Sequence, residues 1–149
     1  MSEQSPIFSY SKPEENSGYL LWQVTMQWQL KMNRVLGELE LTLTQFSLLA
    51  GLHWLTLKNE IVTQQRLADY ANTDKMMTSK VLITLEKKKL IGRTPHPSDT
   101  RAKQLVMTNK GMRTLKEAYH LVQKVDASFF EPVAGNKAAF DKFLLKLIK

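Results

Sequence analysis

Apolar side chains recur every three or four residues along most of this chain, the spacing that places them on one face of a helix. The first such stretch predicts a long helix over residues 17–40, with apolar positions at Leu20, Leu21, Val24, Trp28, Met32, Val35, Leu36 and Leu39. The second stretch begins at Thr42, because Gln45 completes a capping box that satisfies backbone donors at a helix start. Its predicted buried side comprises Phe46, Leu49, Ala50, His53, Trp54 and Leu57.

A short third helix and a fourth helix follow, separated by a tight turn at residues 72–73. Thr63 is a suitable N-cap for the third helix. The inward positions predicted for this helix are Leu67, Tyr70 and Ala71. The fourth helix is predicted over residues 74–88, with inward positions at Met77, Val81 and Leu85.

The hydrophobic period then changes from helical to extended. Residues 90–93 and 103–107 predict two short strands, and the turn-rich segment 94–101 joins them as a hairpin. Another helix is predicted from Thr108 to about Phe130, and a last one after a break at residues 132–135. The last helix places Phe140, Phe143, Leu144, Leu147 and Ile148 on one face.

This order of elements predicts a mainly α fold with a small β-hairpin wing, a winged helix-turn-helix flanked by N- and C-terminal helices. In a helix-turn-helix, the second helix enters the major groove of DNA and turns its N-terminal residues toward base edges. The helix over residues 74–88 is therefore the predicted recognition helix.

The positive charge of the chain is concentrated in the same segment. The sequence carries 21 Lys and Arg against 14 Asp and Glu, a net charge of +7. Residues 74–113 hold ten of the basic side chains and three of the acidic ones, which accounts for the whole surplus. A localised surplus is typical of a nucleic-acid-binding face, and a solvated face without a partner is the alternative.

The predicted DNA interface combines the recognition helix, the start of the preceding helix and the wing. Ser79 and Lys80 can read base edges, and backbone donors near the third helix start can bind phosphate. Asp99 and Arg101 can pair on one side of an extended segment, which would direct Arg101 toward the minor groove; a surface ion pair without a partner is the alternative. The full predicted set is Thr63, Gln64, Lys75, Met76, Ser79, Lys80, Arg93, His96, Asp99, Arg101 and Lys103.

A wing pattern of Asp99-x-Arg101 is followed by Leu105, Thr108 and Gly111 at fixed spacing. Further residues upstream of the wing belong to the same family pattern: Leu67, Ala68, Lys75, Ser79, Lys80, Leu85, Glu86, Lys88, Leu90, Ile91 and Arg93. Over about residues 40–115 this sequence resembles the MarR family of bacterial winged-helix transcriptional regulators.

The resemblance implies a homodimer in which the N- and C-terminal helices of two subunits interlock. It also implies that the two winged helices bind a pseudo-palindromic operator in double-stranded DNA, with a small-molecule pocket between the dimer helices and the DNA-binding lobe. We accordingly expect one domain over residues 1–149. The lobe would cover about residues 41–110, and the dimerisation helices about 7–40 and 111–149.

Two features depart from the family pattern, one just after the recognition helix and one within it. Lys89 stands where the family usually has Gly just after the recognition helix, so a left-handed cap there would carry a cost. Ile83 and Thr84 stand where the family often has polar or basic side chains. The operator sequence therefore cannot be carried over, and Ile83 can contact a thymine methyl group.

Trp22, Met26 and His53 are the candidate residues for an effector pocket, with a small aromatic compound as the candidate effector. Packing in the core or a dimer interface is the alternative for these side chains, since helical stripes of this kind usually form a core.

Other chemistry is excluded or not expected. The chain has no cysteine, which excludes disulfides and thiol catalysis, and its three histidines lack metal-ligand spacing. No cofactor-binding or catalytic motif occurs, so we expect neither a cofactor nor an enzyme. We expect a cytoplasmic protein without a membrane partner, because no signal peptide or membrane-length apolar stretch is visible.

The sequence favours a sequence-specific, double-stranded DNA-binding transcriptional regulator, a repressor released by a small-molecule effector. The alternative is a dimeric winged-helix module that binds protein or ligand without specific DNA binding.

Overall fold

The computed structural model describes residues 7–148, so the extreme ends of the predicted domain, residues 1–6 and 149, lie outside the described residues. Its helices are α1 (Ser17–Leu36), α2 (Leu43–Leu57), α3 (Gln64–Ala71), α4 (Lys75–Lys87), α5 (Asn109–Phe129) and α6 (Lys137–Leu147). The antiparallel strands β1 (Ile91–Pro95) and β2 (Lys103–Met107) lie between α4 and α5. This order confirms the predicted winged helix-turn-helix with flanking helices.

Short-range capping explains where several helices begin. The Thr42 hydroxyl accepts a hydrogen bond from the backbone N–H of Gln45, and the Gln45 side chain accepts one from the Thr42 N–H, so the predicted capping box is confirmed. Thr63 caps α3 by accepting from the Arg66 N–H at 3.2 Å, as predicted. Each cap satisfies a backbone donor that the helix itself leaves unpaired.

One hydrophobic core joins α1, α2, α3, α4, the hairpin and α5. Fully buried members include Met32, Leu36, Leu49, Leu67, Leu82, Leu85 and Ala118. On α2 the predicted inward positions Trp54 and Leu57 are wrong, since these side chains are 56% and 58% exposed. Apolar residues surround nearly the whole of α2, so periodicity alone could not choose its buried side.

Tyr70 was also predicted to face the core and is instead exposed. Its ring lies 5.9 Å from Lys58 Nζ and 5.9 Å from the guanidinium carbon of Arg66. The ring therefore lies at the surface between two cations, where an aromatic face attracts positive charge.

The helices outside the winged-helix segment leave apolar surface uncovered. Trp28 Nε1 donates to Asp126 Oδ1 at 2.9 Å and ties the middle of α1 to α5. Beyond this bond, the N-terminal half of α1 exposes Leu20, Leu21, Trp22 and Val24, and the last helix exposes Phe143, Leu145 and Leu147. No residue of α6 is buried.

Among residues 7–148, no single helix is long and apolar enough to cross a membrane, and α1 and α2 meet that length and composition only as a pair bent by 79°.

Candidate nucleic-acid interface

A tight turn sets α4 against α3. Asn72 ends α3 in the left-handed conformation, with φ 54°, which asparagine adopts more readily than most residues. Asp74 then caps α4 by accepting from the Met77 N–H at 3.0 Å. The Thr78 hydroxyl donates to the Asp74 carbonyl oxygen at 2.7 Å and lies 2.7 Å from the Thr73 hydroxyl. These bonds hold the first turn of α4 in place.

The N-terminal half of α4 turns its predicted DNA contacts outward. Lys75, Met76 and Lys80 are exposed, and Ser79 is half-buried beside them. The predicted inward position of Met77 is wrong, because Met77 is 39% exposed while Thr78 is completely buried. Hydrophobicity favours methionine as the core residue, but the two hydrogen bonds of Thr78 remove the cost of burying its hydroxyl.

The wing is a two-stranded hairpin fastened to the start of α3. Its register pairs Arg93 with Leu105 and Pro95 with Lys103. The Leu105 N–H also donates to the Val62 carbonyl oxygen at 2.7 Å, just before α3 begins. The hairpin therefore keeps a fixed position relative to the helix-turn-helix, with Lys103 exposed at its outer end.

Two side chains organise the tip of the wing. His96 Nδ1 accepts from the backbone N–H groups of Ser98 at 3.1 Å and Asp99 at 3.0 Å. Asp99 Oδ1 accepts from the Arg101 N–H at 3.0 Å and lies 3.6 Å from Arg101 Nε, so the predicted pairing is confirmed. The Arg101 side chain is otherwise 92% exposed. The tip thus extends a guanidinium into solvent from an ordered turn.

Arg93, another predicted contact, holds the elements of the lobe together. Its Nε lies 3.0 Å from Glu86 Oε2, and its second terminal nitrogen donates to Gln64 Oε1 at 3.1 Å. One side chain of β1 therefore joins α4 to the start of α3. Gln64 is predicted to bind phosphate through its backbone, and its side chain is engaged by the same guanidinium.

The C-terminal end of α4 adopts the left-handed cap expected to be costly for lysine. Lys89 has φ 61°. Its N–H donates to the Glu86 carbonyl oxygen at 2.9 Å, and the Leu90 N–H donates to the Leu85 carbonyl oxygen at 3.0 Å. This pair of bonds is a Schellman motif, which favours glycine at the left-handed position. The resulting bend directs the chain into the wing.

Comparison with known sequences decides the family. The model of the MarR family matches residues 41–103. The uncharacterized HTH-type transcriptional regulator YdcH of Bacillus subtilis (strain 168) is 39% identical over 140 residues, which covers 94% of this chain and 95% of that protein. The chain belongs to the MarR family. This MarR-family protein is therefore a transcriptional regulator rather than an enzyme, as predicted.

Solved structures of the family share its fold. A cysteine-to-serine mutant of MarR from E. coli, complexed with operator DNA, has a TM-score of 0.77 at 23% identity and covers 88% of this chain and 91% of that one. The PcaV regulator of Streptomyces coelicolor, in complex with its natural ligand, has a TM-score of 0.80 at 19% identity and covers 94% and 96%. At 23% and 19% identity, the similarity to these two structures establishes the fold of this chain.

Sequence reasoning missed a polar link from the end of the recognition helix to the start of α2 and the segment before it in this MarR-family chain. Lys88 Nζ donates to the Glu40 carbonyl oxygen and, at 3.2 Å, to Gln45 Oε1. Lys110 Nζ donates in turn to the Lys88 carbonyl oxygen at 3.0 Å. Lys88 belongs to the motif that carried the resemblance, but a lysine gives no sequence signal that separates such a link from a solvated charge.

The three predicted effector-pocket residues lie on the first two helices. Trp22 and Met26 of α1 are 61% and 37% exposed, and His53 of α2 is half-buried. A cleft of about 390 Å³ lies elsewhere, between α5 and α6, and includes Phe130 and Phe140 in its lining. None of the three predicted residues lines this cleft.

An ion pair next to α3 shifts the pKa of both of its members. Arg66 donates to both carboxylate oxygens of Glu60, at 2.7 and 3.2 Å. This hydrogen bond lowers the pKa of Glu60, with the nearby charges of Arg66 and Lys58 acting in the same direction against desolvation. The same bond raises the pKa of Arg66. The pair joins the segment before α3, which contains Glu60, to Arg66 in α3 itself.

Among residues 7–148, no group of three or more His, Asp or Glu side chains is arranged to hold a metal ion.

Proposed function

We propose that this protein is a sequence-specific repressor that binds double-stranded operator DNA as a homodimer and is released by a small-molecule effector. The observation that carries the proposal is the joint exposure of Lys75, Met76 and Lys80 on α4 and of Arg101 on the wing. Helix-turn-helix proteins read the major groove with the start of the second helix, and arginine suits the narrow minor groove.

Repression in this proposal is steric, since a dimer on an operator that overlaps a promoter blocks access to the promoter. Two copies of the lobe would occupy half-sites about one helical turn, roughly 10 base pairs, apart. The operator complex of the E. coli MarR mutant supports DNA binding for this fold. The residues proposed to contact the operator or to hold those contacts in place are Thr63, Gln64, Lys75, Met76, Ser79, Lys80, Arg93, His96, Asp99, Arg101 and Lys103.

The uncovered apolar faces support the homodimer. The N-terminal half of α1 and the last helix expose Leu20, Trp22, Phe143 and Leu147, and burying such surface stabilises association. Deletion of residues 132–149 should therefore give a monomer or an aggregate in light scattering. A clean, stable dimer after that deletion would contradict this assignment.

The effector is proposed to be a small aromatic compound that contacts Trp22, Met26 and His53 where the dimer helices meet the lobe. The ligand complex of PcaV supports effector binding for this fold. An effector that prefers a different spacing of the two lobes would lower operator affinity by shifting the population away from the binding form. We place the protein in the cytoplasm, where its operator would be.

The first test is binding to DNA upstream of the protein's own reading frame, measured by fluorescence anisotropy in a salt series with random-sequence competitor. A specific regulator should bind tightly, resist competitor and lose affinity steeply with salt, because counterions are released from phosphates. Binding equal to that of random DNA would leave two options, an operator elsewhere in the genome or the alternative, a winged-helix module without specific DNA recognition.

The wing is tested in the same assay by Arg101→Ala. Loss of one groove contact should weaken operator binding by about 1–3 kcal/mol. Lys142→Ala is the matched control, because it removes the same charge from an exposed position on α6. An Arg101→Ala variant that binds like the parent would remove the wing from the interface.

A further inference from the structure

The imidazole of His96 is built into the backbone of the wing. Its Nδ1 accepts hydrogen bonds from two consecutive peptide N–H groups, those of Ser98 and Asp99, and lies 3.4 Å from the Ser98 hydroxyl. A peptide N–H can only donate, so Nδ1 must be unprotonated and the ring proton must be on Nε2. His96 therefore acts as a neutral acceptor that caps the turn.

This cap is the first of two in series along the wing tip. The turn closed by His96 includes Asp99, and the Asp99 carboxylate in turn accepts from the Arg101 N–H. The Asp99 carbonyl oxygen also accepts from the Ala102 N–H at 3.2 Å. The position of the Arg101 backbone thus depends on the turn that His96 holds.

The residues on either side of His96 stiffen the same turn. Pro95 and Pro97 have fixed φ angles and no N–H to donate. The segment therefore has few backbone donors, and His96 Nδ1 receives two of those that follow Pro97. Losing this acceptor would leave two N–H groups to water and let the tip adopt other conformations.

We propose that His96 is a positioning residue, which orders the wing so that Arg101 is presented to the minor groove, rather than a residue that contacts DNA. The proposal rests on the proposed function, since it assigns His96 a role in DNA binding through Arg101. It predicts that the acceptor atom matters and that the rest of the imidazole ring does not.

The decisive comparison is between His96→Ala and His96→Asn. An asparagine Oδ1 occupies nearly the place of Nδ1 and commonly accepts from the backbone two residues on. On an operator selected from random duplexes, His96→Ala should bind about 10-fold more weakly than the parent, as expected for two lost hydrogen bonds. His96→Asn should stay within about 2-fold of the parent. An asparagine variant as weak as the alanine variant would overturn the proposal.

A double-mutant cycle tests whether His96 acts through Arg101. In an Arg101→Ala background, the added His96→Ala change should weaken binding by less than about 2-fold, because no guanidinium remains to be positioned. An undiminished 10-fold loss would show that His96 contacts DNA itself and would overturn the proposal. His120→Ala, which removes an exposed histidine from α5, is the matched control and should bind like the parent.

The cap can also be tested without DNA. Nitrogen NMR of the imidazole, recorded at about pH 8 where histidine is neutral, should show a protonated Nε2 and an unprotonated Nδ1 at His96. The opposite tautomer would overturn the cap. If the parent protein bound no duplex specifically, the proposed function would fail. The spectrum would still show whether His96 Nδ1 accepts the hydrogen bonds that close the turn.

Discussion

Gly111 in the first turn of α5 lies against the carbonyl oxygen of Leu90, so closely that a Cβ at position 111 would lie 2.0 Å from that oxygen. The contact is held by Thr108, whose hydroxyl shares its one hydrogen between the carbonyl oxygens of Lys89 and Leu90, at 2.7 and 3.0 Å, and accepts from the Gly111 N–H. The spacing of Thr108 and Gly111 therefore joins the end of the recognition helix to α5, and a larger side chain cannot replace the glycine without moving backbone.

We predict that Gly111→Ala lowers the free energy of unfolding by about 2 kcal/mol or more, the range of overpacking in a tight core. Urea denaturation followed by circular dichroism measures the change. Gly37→Ala is the control, because φ is −58° there and no atom lies within 4 Å of the added carbon. It should be neutral or stabilising by about 0.5–1 kcal/mol. Equal effects at both positions would refute the close packing.

Local signals made much of this fold predictable. Thr42, Thr63 and the Asp99–Arg101 pair act within a few residues of their partners, so their roles can be read from spacing. The surplus of positive charge in residues 74–113 is also visible in the sequence, because charged residues can be counted without knowledge of tertiary contacts.

Other features of the fold and of the candidate site depend on contacts between residues that are distant in sequence or on partners that the turn supplies. Arg93 reaches Gln64, which lies 29 residues away in sequence. The burial of Thr78 instead of Met77 depends on partners supplied by the turn. The sequence predicts His96 as a DNA contact because its neighbours are turn residues, and only the folded wing reveals what its Nδ1 accepts.

The left-handed conformation of Lys89 predicts a stabilising substitution. A non-glycine residue in this region costs about 1–2 kcal/mol relative to ordinary helical geometry. Lys89→Gly should therefore raise the free energy of unfolding by about 1 kcal/mol, measured by urea denaturation. Lys89→Ala is the control, because it removes the same charge but keeps a Cβ and should give no such gain. A gain from alanine equal to that from glycine would attribute the effect to charge.

The ion pair of Glu60 and Arg66 predicts a pH dependence of stability. The pKa of Glu60 is lowered by the hydrogen bond from Arg66, so the pair stabilises the fold above the ordinary glutamate value, about 4.3. That contribution is lost as pH falls through the lowered folded pKa. The difference in unfolding free energy between the parent and Glu60→Gln should be constant from about pH 7 to pH 5 and shrink below about pH 4.

Urea denaturation across this pH range measures the difference, and Arg66→Gln should remove the same pH dependence. A difference that stays constant down to about pH 3 would contradict the assignment, because it would show that Glu60 stabilises the fold regardless of its charge.

The exposed stripe of the recognition helix predicts how the operator is read. Met76, Ser79, Lys80 and Ile83 follow the spacing of one helical face, and Met76 and Ile83 are 73% and 45% exposed. The two apolar side chains are about 10 Å apart along the helix, roughly three base pairs of DNA. The only apolar group on a major-groove base edge is the thymine methyl, so we expect thymines on either side of the step read by Ser79 and Lys80.

Replacing those thymines with deoxyuridine removes only the methyl groups and leaves base pairing intact. Each lost contact should weaken binding about 3- to 4-fold, since burying one methyl-sized group is worth about 0.8 kcal/mol. Ile83→Ala should bind more weakly and become insensitive to the substitution at its own thymine, measured by anisotropy on a selected operator. Deoxyuridine outside the half-sites is the control. An operator that tolerates deoxyuridine within the half-sites would assign Met76 and Ile83 to the surface and leave base reading to the polar pair between them.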